Sequence, residues 1–244
     1  MTSIDAAAGT PPAPKSLLAR FIGAFTSPRD TFQNVAAAPR WFGMLATTSL
    51  IVALFTALPM TTEAGRQAAI DKNEQAMKSL GFEVSDRMHE GMERGAARMP
   101  YTTGISVLLV SPIFALIVAG VLFAVFNAAL GGEASFKQVF AVQAHAGPIS
   151  ALSAVFTGTL NYFRGSMESV TTLGSLLPML PEHSFGANLL GAIDVFLLWY
   201  IVVLSIGLGV LYRRRTQPIA FSLFSVYAVI AIVIAIIKSR AGGA

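Results

Sequence analysis

The sequence predicts an all-α integral membrane protein with five transmembrane helices, and three observations carry that prediction. Only 12% of the 244 residues are charged while 54% are hydrophobic, and the mean hydropathy is +0.64. Soluble domains carry roughly a quarter charged residues, and a chain this short exposes too much surface to hide the deficit in a core. The bilayer supplies the second apolar solvent. Next, five stretches approach the about 20 apolar residues that a helix needs to cross the hydrocarbon. Finally, the basic residues before the first span and the run Arg213–Arg215 fall in segments that would share one side of such a bundle. Arg66, Lys72, Lys78, Arg87, Arg94 and Arg98 in the segment 61–100, offset by acids, split the vote.

Residues 1–15, MTSIDAAAGTPPAPK, hold three prolines and no apolar run, and read as a disordered tail rather than a signal peptide. A single membrane domain is expected over residues 16–238, with a short tail over 239–244. Two short helices fit between Lys15 and Phe42. Leu17, Leu18, Phe21, Ile22 and Phe25 form an apolar stripe with Lys15 and Arg20 beside it. Ser27 is placed to cap the second helix, Pro28 fits its first turn, Asp30 complements its dipole and Pro39 stops it. A basic amphipathic segment of this kind suits the lipid headgroup surface.

The spans are expected at about 41–60, 101–129, 137–160, 188–211 and 218–237, the third being conspicuously polar. The charged segment 61–100 cannot enter hydrocarbon. Ile70, Met77 and Leu80 share one face of a helix over 63–80, and Gly81 can close it with a left-handed cap. Ser85 and Asp86 start a second helix carrying Met88, Met92 and Met99, which predicts a helical hairpin outside the bilayer. Arg20, Arg29 and Arg40 before the first span fall on the same side as Arg213, Arg214 and Arg215, so the N-terminus is expected in the cytoplasm. Gly131 and Gly132 are expected to turn the chain after the second span, and Lys137 to anchor the third.

Two segments carry a family resemblance. TSPRDTFQNVAAAPRWF is similar to the SP-x-x-x-F-x-x-(I/V)-x-x-x-P segment of bacterial Yip1-domain proteins. ALGGEASFKQVFAVQAHAGP resembles the family's G-G-x-(G/A)-S-F-x-(Q/E) passage between the second and third spans. The likeness covers about residues 16–238, although the 61–100 loop is longer than a minimal member needs. The resemblance implies a five-span bundle with a cytoplasmic N-terminus, in the inner membrane of a bacterium. Eukaryotic relatives are linked to vesicle traffic and Rab-type GTPases, so membrane organisation or a trafficking-like role is the implied expectation.

Ionisable groups within a span are costly and mark functional candidates. His145 falls roughly 12 Å from one face and Asp194 roughly 9 Å from the other, too far apart for a direct pair. Asp194 is instead expected to meet Arg164 or Asn161. With Asn127 and Gln143 these two form a candidate intramembrane polar site, and a small transporter or channel is the alternative function they suggest. The plainer reading is a neutral imidazole bonded to a neighbouring helix, with Asn127, Gln138, Gln143 and Asn161 bonding between helices. Small residues recur at helical spacing, Gly120, Ala124 and Ala128 on the second span and Ala146, Ser150, Ala154 and Gly158 on the third.

Arg20, Arg29, Arg213, Arg214 and Arg215 are the candidate contacts to the membrane surface, to anionic lipid headgroups or to a partner. Partners beyond the lipid bilayer would be other membrane proteins or a second copy as a homodimer; no nucleic acid is implied. Met77, Met88, His89, Met92 and Met99 invite a Cu(I) reading, but apolar packing explains the same spacing. The chain has no cysteine, no H-E-x-x-H, no G-x-S-x-G and no phosphate loop. Neither a catalytic residue nor a cofactor is expected, and the protein is read as a non-enzymatic membrane protein acting through helix packing and contacts.

Overall fold

The computed structural model describes residues 15–79, 81–176 and 184–241; the expected tail over 1–14, Leu80 and residues 242–244 lie outside them. Among the described residues the chain is helical, with one isolated antiparallel bridge between Thr172 and Asp194. The helices are α1 (Leu17–Thr26), α2 (Pro28–Ala37), α3 (Phe42–Ala57), α4 (Glu63–Ser79), α5 (Asp86–Gly95), α6 (Met99–Phe123), α7 (Phe136–Arg164), α8 (Phe185–Gly191), α9 (Val195–Leu211) and α10 (Thr216–Ala241). Among the described residues, four continuous stretches are long and apolar enough to cross a membrane: Phe42–Thr61, Asp86–Ala129, Phe136–Arg164 and Thr216–Arg240. α9 is equally apolar but has 17 residues.

α3 and α7 run parallel in tight contact. The rings of Trp41 and Phe140 stand 4.9 Å apart, Thr48 packs on Gly147, and Phe55 packs on Gly158. Both helices therefore start at one end of the bundle, where α6 and α9 finish and the Asn127 and Tyr212 side chains meet. Arg29 and Arg213–Arg215 cluster at this end, which is called the arginine-rich end for that cluster. α7 starts with a capping box: Ser135 Oγ accepts from the Gln138 N–H at 3.3 Å, and Gln138 Oε1 accepts from the Ser135 N–H at 2.9 Å. Gly131, at φ +67°, turns the chain between α6 and α7, and Gly132 lies against the Tyr212 ring.

The N-terminal pair departs from expectation. α1 and α2 do not lie across the end of the bundle; they climb into it and return. Leu17 packs beside Gly43, whereas Phe25 shares a cavity with Ile51 and Ala151, two turns further along α3. The tip of this hairpin thus sits about 12 Å deeper than its start. Phe25 meets Trp199 of α9 edge-on at 5.8 Å. On the way back, Phe32 and Val35 are fully buried among Val139, Val142, Val203 and Leu208. Gln138 Nε2 then donates to the Ala36 carbonyl at 3.1 Å.

Within α1 the amphipathic pattern runs inside out. Arg20, Gly23 and Ala24 face the bundle, while Leu18 and Ile22 point away from it. In hydrocarbon this is the favoured sense, since polar groups seek protein partners and apolar ones seek lipid. Arg20 is accordingly not a surface contact. Nor does the Ser27 side chain cap α2; the cap that forms is Ser16 on α1, through Ala19 N–H at 3.2 Å.

The expected fourth span is also interrupted. The chain breaks between α8 and α9, and Asp194 lies at that break as the N-cap of α9.

Candidate functional site

Two arginine-centred constellations stand out, one inside the bundle and one at its end. The inner one begins with His145 on α7, which is wholly inaccessible to solvent. Its Nδ1 lies 2.7 Å from the Ala141 carbonyl and its Nε2 3.1 Å from Arg20 Nη1. A carbonyl only accepts and a guanidinium only donates, so the tautomer is fixed: Nδ1 carries the proton and Nε2 accepts. His145 is neutral. Arg20 Nη1 also reaches the Arg40 carbonyl at 3.1 Å, whereas its Nε is buried without a partner. No carboxylate pairs with this guanidinium among the described residues. The plain reading of His145 as a histidine bonded to a neighbouring helix is the one that matches, and its partner is the arginine that the sequence had assigned to the surface.

The other members of the expected polar site are separated from it. Asn127 lies in a π-helical turn, Ala124–Ala129, at the end of α6. It donates to the Ala134 carbonyl at 2.7 Å and accepts from Tyr212 at 2.6 Å, closing the α6–α7 turn onto the end of α9. Gln143 donates to Tyr200 at 3.3 Å, and its Oε1 is buried without a partner. Asp194 is neither beside Arg164 nor bonded to Asn161. It accepts from the Leu197 N–H at 2.9 Å and from the Thr171 hydroxyl, and its own N–H donates to Tyr227 at 2.9 Å. The physical reason is local: a carboxylate at a helix break serves four-residue capping geometry better than any group across the bundle. Asn161 bonds the Glu168 carbonyl and Ser166 instead. Asn127 and Gln143 thus both bond to α9, but at its end and in its second turn, while His145 bonds to α1 and Asp194 caps α9 beside α10.

At the end of the bundle opposite the arginines, a cavity of about 360 Å3 lies between α3 and α7, with Ser150, Ser153, Thr157 and Asp194 among its lining. Lys72 of α4 stands over it and donates to the Met167 carbonyl at 2.6 Å. Desolvation, then repulsion from Lys238, lowers the Lys72 ammonium below the ordinary lysine value.

The second constellation gathers the remaining arginines. Arg29 and Gln33 of α2 line a cavity of about 690 Å3 together with Arg213, Arg214 and Arg215 from the α9–α10 turn. Arg214 Nη2 also donates to the Leu130 carbonyl at 2.8 Å, tying this turn to the end of α6. Arg213 holds φ +51°, a left-handed conformation usually left to glycine. The tyrosines that close these sites, Tyr200, Tyr212 and Tyr227, were missed in the sequence. Their signal was available: a phenol within an apolar span needs a partner for its hydroxyl.

Apolar helices of this length, closed by hydrogen bonds between their few polar side chains, define a multi-pass α-helical membrane protein that contacts the lipid bilayer. The chain belongs to the Yip1 domain family, whose model matches residues 22–237. It is also 22% identical over 252 residues, spanning 99% of both chains, to a protein of Bacillus subtilis (strain 168) described as membrane protein YknW. No solved structure matches it.

Proposed function

We propose that residues 16–238 act as one non-enzymatic membrane domain with five crossings, and that its arginine-rich end faces the cytoplasm of a bacterial cell and contacts anionic lipid headgroups. α9 makes the fifth crossing. Its 17 residues span about 26 Å, close to the hydrocarbon thickness of about 30 Å. The orientation follows from the clustering of Arg29, Arg40 and Arg213–Arg215 at the end where α3 begins. Helix packing against other membrane proteins or a second copy is the accompanying role, consistent with membrane organisation rather than chemistry.

The observation that carries this reading is the convergence of Arg29 with Arg213, Arg214 and Arg215 around one cavity. Each arginine near an anionic surface contributes about 1 kcal/mol, about fivefold in affinity. Replacing Arg213, Arg214 and Arg215 by glutamine should therefore weaken binding of the purified protein to phosphatidylglycerol vesicles by about a hundredfold. Because the chain lacks cysteine, one engineered cysteine before α1 reports orientation by impermeant labelling in both proteins. Unchanged vesicle binding with retained orientation sinks the lipid-contact reading.

A further inference from the structure

Four guanidinium groups around one cavity repel each other unless something negative lies between them. The nearby elements do not supply it. Among the described residues the ion pairs involve Lys78, His89 and Arg164, and none involves Arg29, Arg213, Arg214 or Arg215. Asp30, next to Arg29, makes no pair, and neither does Glu133, which lines the adjoining cavity with Arg213 and Arg214. The open, positively charged cavity is thus free to take an anion from outside the chain.

Three features define which anion. First, the volume of about 690 Å3 falls within the range that encloses a whole small molecule, rather than a single ion. Second, the donors come from two separate elements. Arg29 and Gln33 stand on α2, and the arginine triplet stands on the α9–α10 turn, continuing into Thr216 and Gln217 at the start of α10. The first backbone N–H groups of that 26-residue helix have no partner within the helix and carry its positive dipole end. Third, Arg213 occupies a left-handed position that closes α9, where glycine is the usual and unstrained choice. An arginine held there in spite of the backbone indicates that its side chain is wanted in the cavity.

We propose that this cavity is a binding site for an anion carrying two phosphate groups, one held by Arg29 and Gln33 and the other by Arg213, Arg215 and the start of α10. Paired guanidinium–phosphate bonds are the strong, geometrically specific form of this contact. Two phosphates match two donor sets, where a single phosphodiester engages only one. The idea rests on the inner-face lipid reading and narrows it. The chemistry has two possible sources, a lipid with a bis-phosphate headgroup or a soluble bis-phosphate.

The test measures binding of the full-length protein in neutral detergent to micelles containing cardiolipin, or to micelles containing phosphatidylglycerol at the same total phosphate. Inorganic pyrophosphate is added as a soluble competitor. Cardiolipin is expected to bind at least tenfold tighter than phosphatidylglycerol. Arg29→Gln should reduce that preference to within twofold while weakening phosphatidylglycerol binding less than fivefold. Arg29→Lys, which keeps the charge and loses the fork, separates geometry from charge and should also lose most of the preference. Competition by pyrophosphate in the micromolar range supports the site with a soluble ligand, and cardiolipin preference without such competition supports it with a lipid. Equal affinity for the two lipids together with no pyrophosphate binding overturns the two-phosphate site and leaves the general inner-face contact standing. Loss of all anionic lipid binding overturns the parent reading instead.

Discussion

Replacing His145 with leucine removes the side-chain acceptor that Arg20 has among the described residues, and the energetics can be worked from the contacts. Arg20 is 7% exposed, and its remaining hydrogen bond is to the Arg40 carbonyl. Leucine fills a similar volume, so the main loss is the bond at Arg20 Nη1. A buried donor on a charged group left unpaired costs about 3 kcal/mol, the upper part of the range for buried polar groups. His145→Leu is therefore expected to destabilise the protein by about 3 kcal/mol, roughly a hundredfold in the folding equilibrium. Arg20→Met should behave differently. It removes the charge together with its demand for partners and leaves only the neutral His145 Nε2 without a donor, so a cost of about 1 kcal/mol is expected. The double variant then recovers at least about 2 kcal/mol of the His145→Leu loss, a coupling typical of residues in direct contact. Denaturant titration in mixed micelles, followed by helical circular dichroism, measures all four corners of the cycle. Additive losses, or Arg20→Met costing as much as His145→Leu, would refute the argument that an unpaired cation dominates this site.

Three further outcomes are expected. A Cβ added at Gly158 would stand 2.8 Å from the Phe55 carbonyl carbon, while one at Gly120 meets nothing within 4 Å; Gly158→Ala should cost about 1–3 kcal/mol in a thermal melt, and Gly120→Ala nothing or a slight gain. Asp194→Ala should cost about 1 kcal/mol through loss of the α9 cap, and Asp194→Asn much less; equal losses would mean the negative charge matters rather than the cap. Outside the bundle, the hydrogen bond between His89 and Glu74 holds the Glu74 carboxyl below its ordinary value of 4.5, and the same bond raises His89 above 6.5. The raised histidine supports the folded α4–α5 contact fully below its unfolded value and loses that support as pH rises through the folded one. The depressed carboxylate supports it above its own unfolded value and loses it as pH falls through the folded one. Protection of α5 from hydrogen exchange, taken relative to the intrinsic exchange rate at each pH, should thus be greatest between about pH 4.5 and 6.5, and His89→Gln should flatten that maximum.

What was legible in the sequence was local. Pro28 and Asp30 open α2 and Gly131 turns the chain before α7, because each acts within one turn of itself. The equally local capping box of Ser135 and Gln138 was missed, Gln138 reading as a partner between helices. Spans were legible wherever an apolar run had no polar break; Asp194 broke that rule, since a carboxylate reads the same whether it sits inside a span or caps one. Arg20 was misplaced because its segment was read as lying at the headgroup surface, apolar stripe in lipid and cation in water, rather than inserted with the cation facing protein. Its true partner lies 125 residues away in the chain, and nothing in the spacing of either residue announces the other. The convergence of Arg29 on Arg213–Arg215 was hidden for the same reason: charge can be counted along a sequence, but two donor sets meet only through the packing of α2 against α9.

That hairpin of α1 and α2 also fixes an order of events during synthesis. It leaves the ribosome before α7 and α9, which complete its buried face. At a translation rate of about 5–20 residues per second, Arg20 precedes His145 by about 6–25 s. Through that interval the guanidinium must stay with water or headgroups. Docking of the α1–α2 hairpin thus has to wait for α7 and α9, so a part of the chain made early is set in place late.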